Sequence, residues 1–340
     1  MCPVTIRDIA KIAGVSHTTV SRVINGNRDV NAVTKQKILD IMEEYNYIPN
    51  DSARNLKLND TNSIGVFSNN INNPFLSEMV QDIEERLNAH KYSVYLQMLK
   101  PAEGLVLSAS KLIKEKKLKG VIFVGGYSSF CEEDFDKLNV PIVFTTIKPM
   151  VTNPKKWYSS IYIDDKESAF KATDYLCKLG HKRIAIITSG SGKKSIGQDR
   201  LEGYLKALEQ NQIAVDTALI KRVKDSSDIH SSYQITKELM KENVEFTAVF
   251  AVTDIFALGV IRALSDEGIR IPEDVSVLGF DGIKLGDYTV PRLTTVQQPV
   301  DKMVEASVNM IIEMIEHGKP GEDKYFDTQL KVGESCREIK

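Results

Sequence analysis

Thr5-Ile6-Arg7-Asp8-Ile9-Ala10-Lys11-Ile12-Ala13-Gly14-Val15-Ser16-His17-Thr18-Thr19-Val20-Ser21-Arg22-Val23-Ile24-Asn25 is the stretch on which the architecture turns. Thr5 can cap the free N–H groups of a first helical turn, and Asp8, three residues on, can answer from inside that turn. Ile6, Ile9, Ala10 and Ala13 then recur at helical spacing and give one apolar face. Gly14 accepts the left-handed backbone that ends a helix and turns the chain sharply. Ser16 caps a second helix, whose Val20 and Val23 point back toward the first. A third amphipathic helix is predicted from about Ala32 to Tyr45, burying Ile38, Ile41, Met42 and Tyr45. Two short helices joined by a tight glycine turn and braced by a third form a helix-turn-helix unit.

In such units the second helix sets its N-terminal residues against base edges in the major groove. Here those residues are His17, Thr18 and, one turn on, Arg22, whose guanidinium can donate two bonds to guanine O6 and N7. Ser16, Thr19, Ser21 and Asn25 are short polar groups suited to phosphate oxygens, which fix register without reading sequence. The competing reading is a small helical bundle with solvated polar positions, and spacing alone leaves both open. Net charge is −2 and the pI about 6.3, so the whole chain is no basic nucleic-acid binder. Local placement differs from that average: from Ser16 to Arg28 there are two arginines, Arg22 and Arg28, and no acid.

Thr5 to Asn25, together with Tyr45-Asn46-Tyr47-Ile48-Pro49-Asn50-Asp51-Ser52-Ala53, closely resembles the headpiece of the lactose-repressor (LacI/GalR) family of transcription regulators. The resemblance implies a palindromic double-stranded operator as partner, a homodimer that mirrors its symmetry, and Thr5 among the DNA contacts. It also implies that Asn50 to Leu58 is a hinge helix, which orders on operator DNA and pairs with its dimer mate in the minor groove. The matching positions are Asn50, Ala53 and Leu56. Small Ala53 lets two helices approach, and apolar Leu56 suits a wedge that grips kinked DNA. Otherwise Leu56 is an exposed linker leucine.

From Asn62 onward short apolar runs alternate with amphipathic helices. Strands are predicted at Ser63–Phe67, Tyr92–Leu96, Gly120–Val124, Pro141–Thr145 and Ser160–Ile163, then at Arg183–Thr188, Ala218–Arg222, Thr247–Val252 and Val275–Phe280, with a helix from about Pro74 to Ala89. Strands alternating with helices predict an α/β fold of doubly wound parallel sheets. Two such sets suggest two similar subdomains, which look like the periplasmic sugar-binding-protein fold of the family's regulatory core. The expected division is a headpiece over 1–48, a hinge over 49–60 and a core over 61–340. By resemblance the core's first subdomain takes about 61–162 and 295–319, and the second takes 163–294 and 320–340.

Parallel sheets bind ligands at the carboxyl ends of their strands. Gln198-Asp199-Arg200-Leu201-Glu202-Gly203, Val252-Thr253-Asp254 and Leu278-Gly279-Phe280-Asp281-Gly282 fall there and resemble the family's effector-pocket motifs. The resemblance carries effector contacts to Arg200 and Asp281, with Thr253 as a third. A carboxylate suits vicinal hydroxyls, and an arginine suits an acidic or hydroxyl-rich ligand. The blander reading makes Asp281 a turn residue and Arg200 half of an ion pair. Many relatives carry asparagine where this chain has Thr253, and Asp225-Ser226-Ser227-Asp228 lacks the aromatic that stacks on ligand in some members. From the first subdomain, Ser68, Asn69 and Phe75 are candidates for the opposite wall. The effector class implied is a sugar or sugar derivative.

Other chemistries find little support. Cys2, Cys131, Cys177 and Cys336 are far apart, forming neither a zinc motif nor a disulfide framework. The five histidines show no metal spacing or nucleophile motif, so no metal, catalytic residue or cofactor is expected. Ser189-Gly190-Ser191-Gly192-Lys193-Lys194-Ser195 fails the phosphate-loop pattern, because Lys194 stands where Ser or Thr is required. Nothing resembles a signal peptide or membrane span, which points to the cytoplasm and away from a transport-type sugar-binding protein. An enzyme on a doubly wound sheet is the remaining alternative. A subset of the family that the chain resembles is controlled by a phosphorylated carrier protein docking on basic residues; the helix Pro299 to His317 carries little positive charge, which favours a pathway-specific role over a global one and leaves carrier binding open. No leucine-heptad stretch follows Tyr325-Phe326-Asp327, so a dimer rather than a coiled-coil tetramer is expected.

Overall fold

The structure, a computed structural model, describes residues 4–24, 29–45, 47, 62–68, 70–98, 105–125, 138–149, 157–190, 195–223, 228–242 and 244–339. The chain divides into two compact units, Met1–Thr61 and Asn62–Lys340.

The first unit holds α1 (Ile6–Ala13), α2 (His17–Ile24) and α3 (Ala32–Glu44). Thr5 Oγ1 accepts the Asp8 N–H at 3.4 Å while Asp8 Oδ2 accepts the Thr5 N–H at 2.9 Å, a reciprocal cap that satisfies two otherwise orphaned donors. Gly14 closes α1 at φ 72°, a conformation that disfavours a Cβ. Ser16 Oγ then accepts the Thr19 N–H at 3.1 Å and starts α2. The three helices close on Ile9, Ala10, Ala13, Val20, Val23, Ile38 and Ile41. Tyr45 departs from expectation. The chain leaves helical geometry there, so the step from Ile41 no longer lands on the core, and Tyr45 is 42% exposed while Tyr47 packs against the cluster. Asn25 and the hinge positions Asn50, Ala53 and Leu56 lie outside the described residues.

In the second unit, β1 (Ser63–Ser68), α4 (Pro74–Ala89), β2 (Ser93–Met98), α5 (Leu105–Lys116), β3 (Gly120–Val124), β4 (Ile142–Thr145) and β5 (Tyr158–Tyr162) build the first sheet and its helices. The second half runs α6 (Asp165–Lys178), β6 (Ile184–Ser189), α7 (Ile196–Gln210), β7 (Ile220–Val223), α8 (Ile229–Lys241), β8 (Ala248–Ala251), α9 (Asp254–Asp266), β9 (Ser276–Asp281) and β10 (Thr294–Gln297). It ends with α10 (Val300–His317), β11 (Asp323–Tyr325) and β12 (Gln329–Lys331). β3, β4 and β8 are buried along their whole length, as expected of central strands covered on both faces.

The sheet orders are β11-β5-β4-β3-β1-β2 and β12-β10-β9-β8-β6-β7. The first is wholly parallel, and in the second only β12 runs antiparallel, against β10. Both are doubly wound, with the strand order reversing between β1 and β3 and between β6 and β8. At such a reversal the flanking loops diverge and open a crevice at the carboxyl ends of the strands.

The sheets exchange chain at their margins, later than the expected breaks near Thr295 and Lys319. β10 pairs with β9 and so stays with the second sheet. α10 then returns to pack on β3, β4 and β5. β11 extends the first sheet by pairing Asp323 with Ser160, and the chain crosses to β12 afterwards. The strand expected at Ala218–Arg222 begins at Ile220, behind a 3-10 turn at Thr217–Leu219 whose cap is Asp216. The final segment is anchored: Cys336 Sγ lies 3.2 Å from Val277 O, and the Arg337 N–H donates to Ser276 Oγ at 3.1 Å.

Close packing of α6 on α7 bears directly on the site. A Cβ at Gly203 would lie 2.2 Å from the Lys166 carbonyl oxygen, so only glycine allows the two helices to approach this closely. No helix among the described residues is long and apolar enough to cross a membrane.

Candidate functional site

Two surfaces carry the predicted chemistry, one in each unit. On α2, Val20 and Val23 face inward while His17, Thr18 and Arg22 are exposed on the opposite side. Ser16 Oγ lies 2.6 Å from Thr18 Oγ1 and 2.9 Å from Thr19 Oγ1, a hydroxyl cluster at the start of the helix. Thr19 and Ser21 are half-buried. Arg22 Nη1 stands 3.1 Å from Asp29 Oδ2 in an exposed ion pair. Thr5 is committed to capping α1, its hydroxyl 2.6 Å from Asp8 Oδ2.

In the second unit, Arg200 on α7 reaches the carboxyl ends of β8 and β9. It is almost wholly buried, and every described polar contact it makes is to an oxygen. Nε donates to Asp165 Oδ1 at 2.8 Å, and Nη1 donates to the Val252 carbonyl and, at 3.4 Å, to Asp281 Oδ1. The guanidinium plane covers the Phe280 ring at 3.5 Å from its centroid. The sequence thus brings Arg200 and Asp281 together from positions 81 residues apart.

Asp281 itself is 3% exposed and sits at φ 122°, a backbone region that costs a non-glycine residue roughly 1–3 kcal/mol. The neighbourhood over-determines that geometry. The Gln298 N–H donates to the Asp281 carbonyl at 3.1 Å, and Gln298 Nε2 donates to Asp281 Oδ1 at 2.9 Å. Asp254 Oδ2 accepts the N–H groups of Gly282 and Ile283, and Asp254 Oδ1 accepts the Thr295 hydroxyl at 2.6 Å. Burial pushes the Asp281 carboxyl up to about 7; the neighbouring Asp254 and Asp165 charges add to this, and Arg200 and Gln298 oppose it. Burial likewise lifts Asp254 to about 6 against its three hydrogen bonds. Asp165 is raised by burial with Arg200 opposing, and Asp199 reaches about 6 through burial and the charges of Asp165 and Glu202.

Thr253, the third effector candidate, stands at the start of α9. Its Oγ1 accepts the Phe256 N–H at 3.3 Å and caps α9. Ser68 ends β1, buried, with its hydroxyl accepting the Asn70 N–H at 3.4 Å. Phe75 opens α4 and packs into the large apolar core. Asn69 and the basic stretch 191–194 lie outside the described residues.

Sequence reasoning missed Asp165, Asp254, Gln298 and Thr146. Gln298 is buried, and its Oε1 has no hydrogen-bond partner among the described residues. Thr146, just past β4 on the first sheet, is buried at φ 78° with an equally unpartnered hydroxyl. A β-branched residue in that region is an outlier whose cost the surroundings must meet. Among the described residues no cluster of histidine, cysteine or carboxylate side chains is arranged to hold a metal ion.

A helix-turn-helix head, followed by two doubly wound sheets with a buried polar cluster at the carboxyl ends of β8 to β10, defines a class: DNA-binding regulators with a ligand-binding core. Residues 5–50 match the model for bacterial regulatory proteins of the lacI family, and residues 173–336 match a periplasmic binding protein-like domain. The HTH-type transcriptional regulator MalR of Clostridium butyricum is 39% identical over 98% of this chain and 99% of its own. Among solved structures, the lac repressor dimer bound to operator and the anti-inducer ONPF is 27% identical, with a TM-score of 0.74 over 98% of this chain and 99% of that one. The complex of the regulator CelR with cellobiose is 25% identical, with a TM-score of 0.71 over the same shares. The chain belongs to the LacI family of DNA-binding transcriptional regulators and is not an enzyme.

Proposed function

We propose that this protein is a repressor that binds a palindromic operator as a homodimer and releases or tightens its grip when a sugar or sugar derivative enters the core. The observation that carries the reading is the buried Arg200–Asp281–Gln298 constellation, set at the carboxyl ends of β8, β9 and β10 in a chain whose α2 presents His17, Thr18 and Arg22 outward. Ser16, Thr19 and Ser21 would hold phosphates, and Asn25, Asn50, Ala53 and Leu56 would complete the DNA contact. Ser68 and Thr146 would face the ligand from the first sheet. Relatives support the effector class, since one solved neighbour holds cellobiose and another ribose.

The homodimer has a physical motive on the second subdomain. Tyr288 and Val290 are 84% and 93% exposed beside Leu285, an apolar patch suited to a second copy. Control would follow from differential affinity: a ligand that prefers one arrangement of the core shifts the population able to straddle two half-sites.

The test is selection of duplex fragments from the source genome by the full-length protein, followed by titration with candidate sugars. A palindromic site whose affinity changes with one sugar is the expected result. Binding that ignores both sequence and every sugar would refute the proposal.

A further inference from the structure

The two elements that carry the Arg200–Asp281 pair also reach the half of the core built on the first sheet. α7 bears Arg200 and, one turn earlier, Ile196, which packs against the apolar cluster of Phe67, Phe123, Phe144 and Ile147 on that sheet. The turn after β9 follows Asp281 and, three residues on, bears Lys284, whose Nζ stands 2.8 Å from Glu78 Oε1 of α4. α4 in turn packs on β1, β2 and β3. The second half of the core thus grips the first at two points, one apolar and one ionic.

Both points are seated firmly on the second sheet. Thr188 Oγ1, in β6, donates to the Gly197 carbonyl at 2.9 Å. A Cβ at Gly197 would lie 2.3 Å from the Ser189 carbonyl oxygen, so glycine lets the first turn of α7 sit directly on that strand. Ile283, beside Lys284, is tied through its N–H to Asp254 at 2.8 Å. Ile196 and Lys284 therefore follow the elements that carry them.

Charge around Lys284 is one-sided. Glu78 and Asp82 are neighbours one helical turn apart on α4. The hydrogen bond to Glu78, and then its charge, hold Lys284 above the usual lysine range, with Asp82 adding to this. Asp82 is itself raised, first by burial and then by the Glu78 charge, with Lys284 and Arg86 opposing and Glu85 adding. Arg86, the next cation along α4, is bonded to Asp301. Withdrawal of Lys284 would leave Glu78 and Asp82 facing one another, and their repulsion favours its return. An exposed pair of this kind is weak alone, yet it suffices to bias an equilibrium between two arrangements that are close in free energy.

We propose that Lys284 with Glu78 and Asp82, and Ile196 with its apolar seat, form a two-point latch that holds the two halves of the core closed on each other, and that the Arg200–Asp281 pair sets its strength because both contacts are carried on that pair's own elements. The regulatory side of this rests on the reading of that pair as the effector site; the closure does not.

Pulsed electron–electron resonance on the full-length protein tests the latch. Nitroxides are carried on genetically encoded ketone side chains at the exposed positions Asn88 of α4 and Glu209 of α7, which leaves the native cysteines untouched. Labelled chain is diluted into unlabelled chain so that distances within one chain dominate. The expected result is one main distance without further substitution. Lys284→Glu should raise a longer-distance fraction on the order of tenfold, and Lys284→Met and Ile196→Ala should each raise it severalfold. Adding Glu78→Lys to Lys284→Glu should restore the original distribution. Asp281→Ala should also lengthen the distance, since the turn that follows it carries Lys284. Distances unmoved by Lys284→Glu overturn the latch and leave the effector reading intact, because Glu78 and Lys284 stand outside the buried pair. A change that Glu78→Lys does not reverse overturns the ionic contact, and one that Asp281→Ala does not reproduce overturns the link to the buried pair.

Discussion

The carboxylate of Asp254 accepts the backbone N–H of Gly282 at 2.7 Å. The same oxygen takes the N–H of Ile283, and its mate takes the Thr295 hydroxyl, so one buried side chain ties α9 to the turn after β9 and to β10. That turn is where Asp281 is held in its strained backbone conformation. Asp254→Ala should therefore leave the Gly282 and Ile283 N–H groups without their acceptor and lower the unfolding free energy by about 2–5 kcal/mol in urea denaturation. Asp254→Asn keeps an oxygen for the two N–H groups and should cost about 1 kcal/mol. Equal losses in the two variants would mean that packing, not acceptance of these bonds, is the role of Asp254.

Titration of the buried carboxyls predicts a pH dependence with a definite sign. Asp281 at about 7 and Asp254 at about 6 both stand above the ordinary aspartate value of 3.8. Between about pH 4 and 7 the folded core keeps protons that the unfolded chain has released, so the unfolding free energy falls as pH rises across that window. Asp274, held down to about 2 by Arg270, acts in the opposite sense, only at more acid pH. The melting temperature of the ligand-free protein should be higher at pH 5 than at pH 8, and Asp281→Asn should shrink the difference. Effector affinity should move the other way, rising through about pH 7 as Asp281 becomes the carboxylate that hydroxyls can donate to. A wild-type pH slope identical to that of Asp281→Asn would defeat this prediction.

Gly203 governs how α7 presents Arg200. A methyl group there would be driven against the Lys166 carbonyl oxygen and the Phe170 N–H of α6, both backbone atoms that cannot step aside. Gly203→Ala should push α7 outward, cost roughly 1–3 kcal/mol of stability and weaken the Arg200–Asp165 bond. The measurement is a pair of denaturation and effector-binding curves. Full retention of both would show that the helix pair is looser than these distances imply.

Much of this architecture was legible in the residues. Thr5, Asp8 and Gly14 act locally, within one or two turns, so capping chemistry alone places α1 and the bend after it. The alternation of buried strands and amphipathic helices likewise exposed two doubly wound sheets. What escaped was set by packing between distant segments. Asp165 reads as one more acid at a helix start beside its true cap, Asp164, until Arg200 arrives from 35 residues away. Asp254 and Gln298 gain their roles from partners 41 and 17 residues distant. The short strands β11 and β12 are largely exposed and show no apolar alternation, so the late exchange between sheets left no periodic trace. Thr146 adopts a backbone that its own side chain disfavours, and nothing in composition foretells that.

The headpiece offers the last test, through the Arg22–Asp29 pair at 3.1 Å. Both side chains are more than half exposed, so the pair itself contributes on the order of 0–1 kcal/mol, and a guanine edge can compete for the guanidinium. Removing the arginine should cost about 1–3 kcal/mol of operator affinity in Arg22→Ala and relax base preference at one position in each half-site. Removing the acid acts differently. Asp29→Asn frees Arg22 and takes a negative charge away from the DNA-facing unit, so affinity should rise severalfold for all duplexes while the preferred base is kept. Fluorescence anisotropy on the selected operator and on single-base variants, at two salt concentrations, distinguishes these effects. If Arg22→Ala weakened every variant duplex by the same factor, Arg22 would be a phosphate contact, and base reading would have to come from His17 and Thr18.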